Sequence, residues 1–229
     1  MNQEVAEIFE KYKEKNFGEV GTILYKNIIQ AKENSKKIPI LYVSSEKKLI
    51  YLRISKCASS SLVEGLTREG DFNPIYAIEN FLYYKNNYKS FTVIRDPKSR
   101  WISGLNELMS RIIKDGKKSK DYIQDELKEN RFIFDGHTLP QISFLHWHKY
   151  VNFNNLEIIR LNKNLNQKIS KLIDKNIQLK FINSTYHGSD VDKIKNLNFC
   201  KEMFGSYCEK NSKYYETYEF DYRLYNLSI

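Results

Sequence analysis

The stretch Ile50-Tyr51-Leu52-Arg53-Ile54-Ser55-Lys56-Cys57-Ala58-Ser59-Ser60-Ser61-Leu62 passes from an apolar, β-rich run through a lysine and small residues into a serine-rich helix start. Strand, loop and helix in that order form the unit from which open α/β sheets are built. Small side chains let backbone N–H groups turn inward, and the first helical turn adds partial positive charge and hydroxyl donors, so this loop is suited to cradling an anion. It is not the GxxxxGK[ST] loop of nucleoside triphosphatases, because the glycines are absent and Lys56 precedes Ser59, Ser60 and Ser61 instead of standing directly before a hydroxyl residue. Alone, the stretch reads more readily as an ordinary strand and turn leading to a serine-capped helix. Its weight depends on its surroundings.

Downstream, Phe91-Thr92-Val93-Ile94-Arg95-Asp96-Pro97-Lys98-Ser99-Arg100-Trp101-Ile102-Ser103-Gly104 repeats the pattern, with Pro97 suited to a first helical turn. Arg95 leaves its strand at the edge where α/β sheets bind ligands, and Ser103 lies one turn beyond Ser99 and Arg100 on the same helix face. Together they can clamp a phosphate, Arg95 by forked charge-assisted hydrogen bonds and Ser103 through its hydroxyl. The competing reading is a surface Arg95–Asp96 pair with Ser103 as helix filler. Two anion-suited units in succession outweigh either one alone.

Further β-rich runs are Ile38–Val43 and Leu156–Leu161, beside Leu49–Ile54 and Ser90–Ile94. Helices are expected over Ser60–Glu69, Ser99–Lys114, Lys120–Asn130, Leu139–His148, Leu165–Ile173, Ser189–Leu197 and Asn198–Phe220, with a loop at Gly116–Ser119. Strands separated by helices predict an α/β fold with a mainly parallel central sheet flanked by helices. The 229 residues suit one such domain, a helical extension over 1–36 preceding a motif-bearing core over 37–229. In the extension, Val5, Ile8, Phe9 and Tyr12 fall at helical spacing, as in an amphipathic surface helix.

Composition narrows the function classes. With 41% hydrophobic and 14% aromatic residues the chain can bury a core, which excludes global disorder, and nine Gly and four Pro exclude low-complexity architectures. Cys57, Cys200 and Cys208 are odd in number and lack metal-type spacing, which argues for a reducing compartment and against a disulfide scaffold or zinc site. No apolar run is long enough to span a membrane and no secretory h-region follows the start, so a cytoplasmic location is expected. The formal charge of +9 points to an anionic partner or to a lysine-rich solvated surface without distinguishing them.

Arg53–Leu62 and Val93–Ser103 resemble the two nucleotide-binding signatures of the sulfotransferases that use 3′-phosphoadenosine 5′-phosphosulfate (PAPS), especially the carbohydrate branch with its chondroitin, dermatan and heparan 2-O enzymes. The first resembles the 5′-phosphosulfate loop and the second the 3′-phosphate motif. Asp135–Gln141, Glu157–Leu161, Ile182–Thr185 and Tyr215–Tyr225 resemble family landmarks in the expected order, so the likeness runs from about Leu49 to the C-terminus. Ser55 stands where the family loop usually has proline. The absence of a membrane anchor and of paired cysteines predicts a bacterial or phage-type relative.

The resemblance implies a three-layer, P-loop-like form of that fold, PAPS as cofactor, PAP as product and a hydroxyl acceptor, a sugar on a glycan. It implies that Lys56 stabilises charge on the leaving oxygen and that backbone groups from Cys57 through Ala58 to Ser61, with the hydroxyls of Ser59, Ser60 and Ser61, hold the 5′-phosphate. Arg95 and Ser103 would bind the 3′-phosphate, with Ser184 or Thr185 closing over it, and no metal is required. For the general base there are two candidates: Glu79, between the motifs, and His137, whose imidazole suits base chemistry near neutral pH. His146 and His148 read as structural, Lys98 as exposed, and Arg100 either as a partner within its helix or as part of the cleft lining. Competing readings are a P-loop-type kinase, disfavoured by the lack of Gly-Lys-[Ser/Thr], and a basic nucleic-acid-binding protein, for which no recognisable motif is present.

Overall fold

The computed structural model describes residues 3–14, 41–75, 81–115, 120–147, 155–180 and 190–228. Its elements are α1 (Gln3–Glu14), β1 (Leu41–Ser44), β2 (Leu49–Leu52), α2 (Ser59–Glu69), β3 (Asn73–Ile75), α3 (Phe81–Asn87), β4 (Lys89–Ile94), α4 (Pro97–Asp115), α5 (Lys120–Lys128), α6 (Gln141–Trp147), β5 (Leu156–Arg160), α7 (Leu165–Ile173), α8 (Asp190–Met203), a π-helical turn (Phe204–Cys208) and α9 (Ser212–Leu227).

The strands form one sheet in the order β3-β1-β2-β4-β5. β2 pairs in parallel with β4, and β4 with β5, whereas β1 is antiparallel to both β2 and β3. The sheet is therefore mixed, and the expected parallel arrangement holds only across β2, β4 and β5. A short connection explains the difference: only the turn Ser45–Lys48 joins β1 to β2, and a parallel crossover needs a dozen or more residues. β3 was not apparent from the sequence because it is three residues long and contains Pro74, which is tolerated on an edge strand since it has no N–H to donate.

Alternation along the strands directs side chains to opposite faces. Leu41, Val43, Ile50, Leu52, Ile94 and Ile158 join a cluster with α1, α6 and α9. Tyr42, Leu49, Tyr51, Phe91, Val93 and Ile159 pack instead with Leu62 and Leu66 of α2 and with Leu165, Ile169 and Ile173 of α7. Helices thus flank the sheet, and a third cluster around Trp101, Phe132, Phe204 and Tyr214 joins α4, α5, α8 and α9. The α1 stripe of Val5, Ile8, Phe9 and Tyr12 lies in the main core, with the Tyr12 hydroxyl 2.6 Å from Ser143 Oγ.

Helix boundaries follow local chemistry. α4 begins two residues before the expected Ser99, because Asp96 Oδ2 accepts from Ser99 N at 2.7 Å and Pro97 occupies the first turn. The break expected between Leu197 and Asn198 is instead at Glu209–Asn211: α8 runs on into the π turn, and Asn211 caps α9 by accepting from Lys213 N. Among the described residues no helix is long and apolar enough to cross a membrane.

Candidate functional site

β2 and β4 are parallel neighbours in register Leu52↔Thr92, with Thr92 Oγ1 donating to Leu52 O at 2.9 Å. Both chains therefore leave the sheet at the same carboxyl edge, side by side, where open α/β sheets place their ligands. The first exit is the loop carrying Lys56, which enters α2, and the second is Arg95, which leads into α4.

The Lys56 loop holds two non-glycine residues in the left-handed region, Lys56 at φ 67° and Ala58 at φ 57°. Each costs on the order of 1–2 kcal/mol, so other contacts must hold the loop in shape. Cys57 between them is fully buried, and its thiol donates to Gln141 Oε1 at 3.1 Å. Burial pushes that thiol up to about 11, so it stays protonated and is no nucleophile at neutral pH. Ser55 O accepts from Arg100 Nε at 3.0 Å. α2 then starts from Ala58 without a side-chain cap, Ala58 O accepting from Leu62 N. Ser59 and Ser61 are buried and Ser60 is exposed, so the three hydroxyls expected to act together face different surroundings.

Gln141 ties the two exits together. Its Oε1 also accepts from Arg95 N, and its Nε2 donates to Arg95 O, both at 2.8 Å. Gln141 N and Ile142 N in turn donate to the buried carboxylate of Asp221 at 2.6 and 2.9 Å, so α9 supplies the negative charge at the start of α6. Burial raises the pKa of Asp221 from its ordinary value, opposed by the nearby Arg100 charge and by the hydrogen bonds from Gln141 and Ile142. Arg100 is buried too and also donates to Leu139 O. It is a brace under the loop, and Lys98 is exposed and paired with Glu209 at 2.7 Å. The side chains of Arg95 and Ser103 are half-buried and form no hydrogen bond or ion pair among the described residues.

One face of α4 faces this assembly. Arg100, Ser103, Gly104 and Glu107 recur at helical spacing, and Glu107 Oε2 receives Lys56 Nζ at 3.0 Å. A Cβ on Gly104 would sit 2.3 Å from His137 O, so the absence of a side chain there lets the His137 segment lie directly against the helix. That segment is held by Tyr218 donating to Thr138 O, and by Trp101 Nε1 donating to Phe132 O at 2.9 Å. Within it, His137 Nδ1 lies 2.7 Å from Asp135 Oδ2, and His137 N donates to Asp135 Oδ1 at 2.8 Å. This contact assigns the proton to Nδ1 and the basic lone pair to Nε2.

The structure thus gathers Lys56, the Cys57–Ser61 turn, Arg95 and the α4 face at one sheet edge, with the His137 segment against that face. Glu79, Ser184 and Thr185, together with His148 and the Gly116–Ser119 loop, lie outside the described residues. Reading the sequence missed Glu107, Asp135, Gln141 and Asp221 as functional neighbours. Glu107 had a signal in its spacing of four from Ser103 and seven from Arg100, and Asp135 one in the Asp-Gly-His pattern; Gln141 and Asp221 are joined only by tertiary packing. Comparison with protein-family models, curated proteins and solved structures finds no match to this chain.

Proposed function

We propose that the protein is a PAPS-dependent sulfotransferase with a P-loop-like three-layer fold, transferring the sulfuryl group from PAPS to a hydroxyl acceptor, a sugar on a glycan, and releasing PAP. The observation that carries this reading is the pair of parallel strand exits at one sheet edge, one bearing Lys56 and the other Arg95, braced to each other by Gln141. A donor charged at both ends of its nucleoside needs two cationic sites of this kind, and the residues fit that need.

PAPS supplies the activated sulfuryl group. The Cys57–Ser61 backbone and the start of α2 would hold the 5′-phosphate end, and Arg95 with Ser103 would hold the 3′-phosphate, with Ser184 or Thr185 closing over it. Lys56 would stabilise the negative charge that develops on the departing bridging oxygen. His137 Nε2 would take the acceptor hydroxyl proton, with Asp135 holding the ring through Nδ1 and stabilising the imidazolium. This dyad favours His137 over Glu79 as the base.

Calorimetric titration with PAP, ATP and AMP tests the reading. PAP is expected to bind selectively, Lys56→Ala to abolish transfer, and Arg95→Ala mainly to weaken nucleotide binding. A preference for ATP, or no PAP binding at low salt, overturns the proposal. Of His137→Asn and Glu79→Gln, the variant that keeps near-normal turnover at saturating acceptor excludes its residue as the base.

A further inference from the structure

Lys56 does not meet an incoming anion as a bare charge. Its ammonium sits 3.0 Å from Glu107 Oε2, with the lysine side chain 16% and the glutamate side chain 7% exposed. Both ends of the pair are anchored: Lys56 by its left-handed backbone between the Arg100 and Cys57 ties, and Glu107 by a helix whose neighbouring turn bears the close Gly104–His137 contact. An ammonium has three donors, so Lys56 can keep Glu107 while donating to a second acceptor. A carboxylate this close nevertheless repels any anion that lodges on the loop, and partial exclusion of water weakens the screening of that repulsion.

From this geometry we infer that Glu107 is a positioning residue for Lys56: a resident counter-ion that weakens ground-state anion binding at the loop and keeps the ammonium aimed for the transition state. The inference rests on the proposed role of the Lys56 loop as the phosphosulfate site. Its logic is differential binding. Interactions that are strong in the ground state lower KM without raising kcat, whereas a lysine already held by a carboxylate contributes most when new negative charge builds on the leaving oxygen. Glu107 itself touches neither donor nor acceptor in this scheme.

Glu107→Gln is the informative variant because it keeps the shape and an acceptor oxygen for Lys56 while removing the charge. The full-length variant should bind both inorganic pyrophosphate and PAP about tenfold more tightly than the parent in calorimetry at low salt. In the transfer assay its KM for the donor should fall together with kcat, a split that loss of general stability would not produce. Should Glu107→Gln fail to fold, Glu107→Asp carries the test: it withdraws the carboxylate by one methylene from Lys56, and tightening in the same direction is expected. Wild-type or weaker affinity for both anions in a folded variant overturns the inference, as does failure of both anions to bind the parent and the variant. Tightening for pyrophosphate without any PAP binding would uphold the Glu107 inference while removing the sulfotransferase reading.

Discussion

At the residue scale, the candidate site is made of side chains whose partners are distant in sequence. Cys57 shows the consequence. It stands in the middle of an anion-suited loop, where a thiol invites a reading as a nucleophile, yet its sulfur is turned into the core against Gln141 and its pKa is raised from 9.0 to about 11 by burial. A raised folded-state value means that the stability owed to the neutral thiol is fully present below pH 9 and is lost as pH rises through 11. Cys200, raised from 9.0 to about 12, acts in the same direction over a wider window that opens at the same pH. Denaturant unfolding should therefore show a plateau from neutrality to about pH 9 and then a fall of up to about 1.4 kcal/mol per pH unit for each thiol involved. Cys57→Ala should flatten the first part of that fall. A slope unchanged in the variant would place the alkaline transition elsewhere.

At the element scale, α4 organises the site, since one face of it braces the loop through Arg100, pairs Lys56 through Glu107 and admits the His137 segment at Gly104. Two identical substitutions should have opposite consequences. Gly104→Ala drives a methyl to 2.3 Å from the backbone carbonyl of His137, which cannot rotate away, whereas a Cβ on Gly205 meets nothing within 4 Å. Overpacking of this kind costs about 1–3 kcal/mol, more than the roughly 1 kcal/mol that alanine gains over glycine in a helix. Gly104→Ala should accordingly lower the urea midpoint and, if His137 is the base proposed above, reduce turnover in the sulfuryl-transfer assay by displacing it. Gly205→Ala should leave the midpoint unchanged or raise it. Equal behaviour of the two variants would refute the close contact.

At the scale of the whole molecule, the helix α1, which precedes the motifs, is part of the core. Val5, Ile8, Phe9 and Tyr12 pack with the sheet, Ile142 and Phe220, and Tyr12 reaches Ser143 on α6, the helix that carries Gln141. The first helix therefore supports, through α6, the bracket that joins the two strand exits. Phe9 is 1% exposed, and Phe9→Ala should cost about 3–5 kcal/mol in chemical denaturation. If α1 were a peripheral addition, the same variant would unfold within a few tenths of a kcal/mol of the parent.

The two strand–loop–helix units, α7 over Leu165–Ile173, the amphipathic stripe of α1 and the lysine and arginine at the two exits were legible in the sequence, because each is written in contiguous residues with a period of two or 3.6. Patterning of that kind encodes which face of an element is apolar. It does not encode which element covers that face, so α1 read as a surface helix, the antiparallel β1 and the Pro74 edge strand were not foreseen, and the break between the last two helices was placed too early. The site divides along the same line. Lys56, Arg95 and His137 are visible as chemistry in short motifs. That Lys56 is held by Glu107, that Gln141 joins Cys57 to Arg95, and that Asp221 caps α6 are matters of contact between residues 46 to 84 positions apart, set by how the helices pack around one carboxyl edge of the sheet.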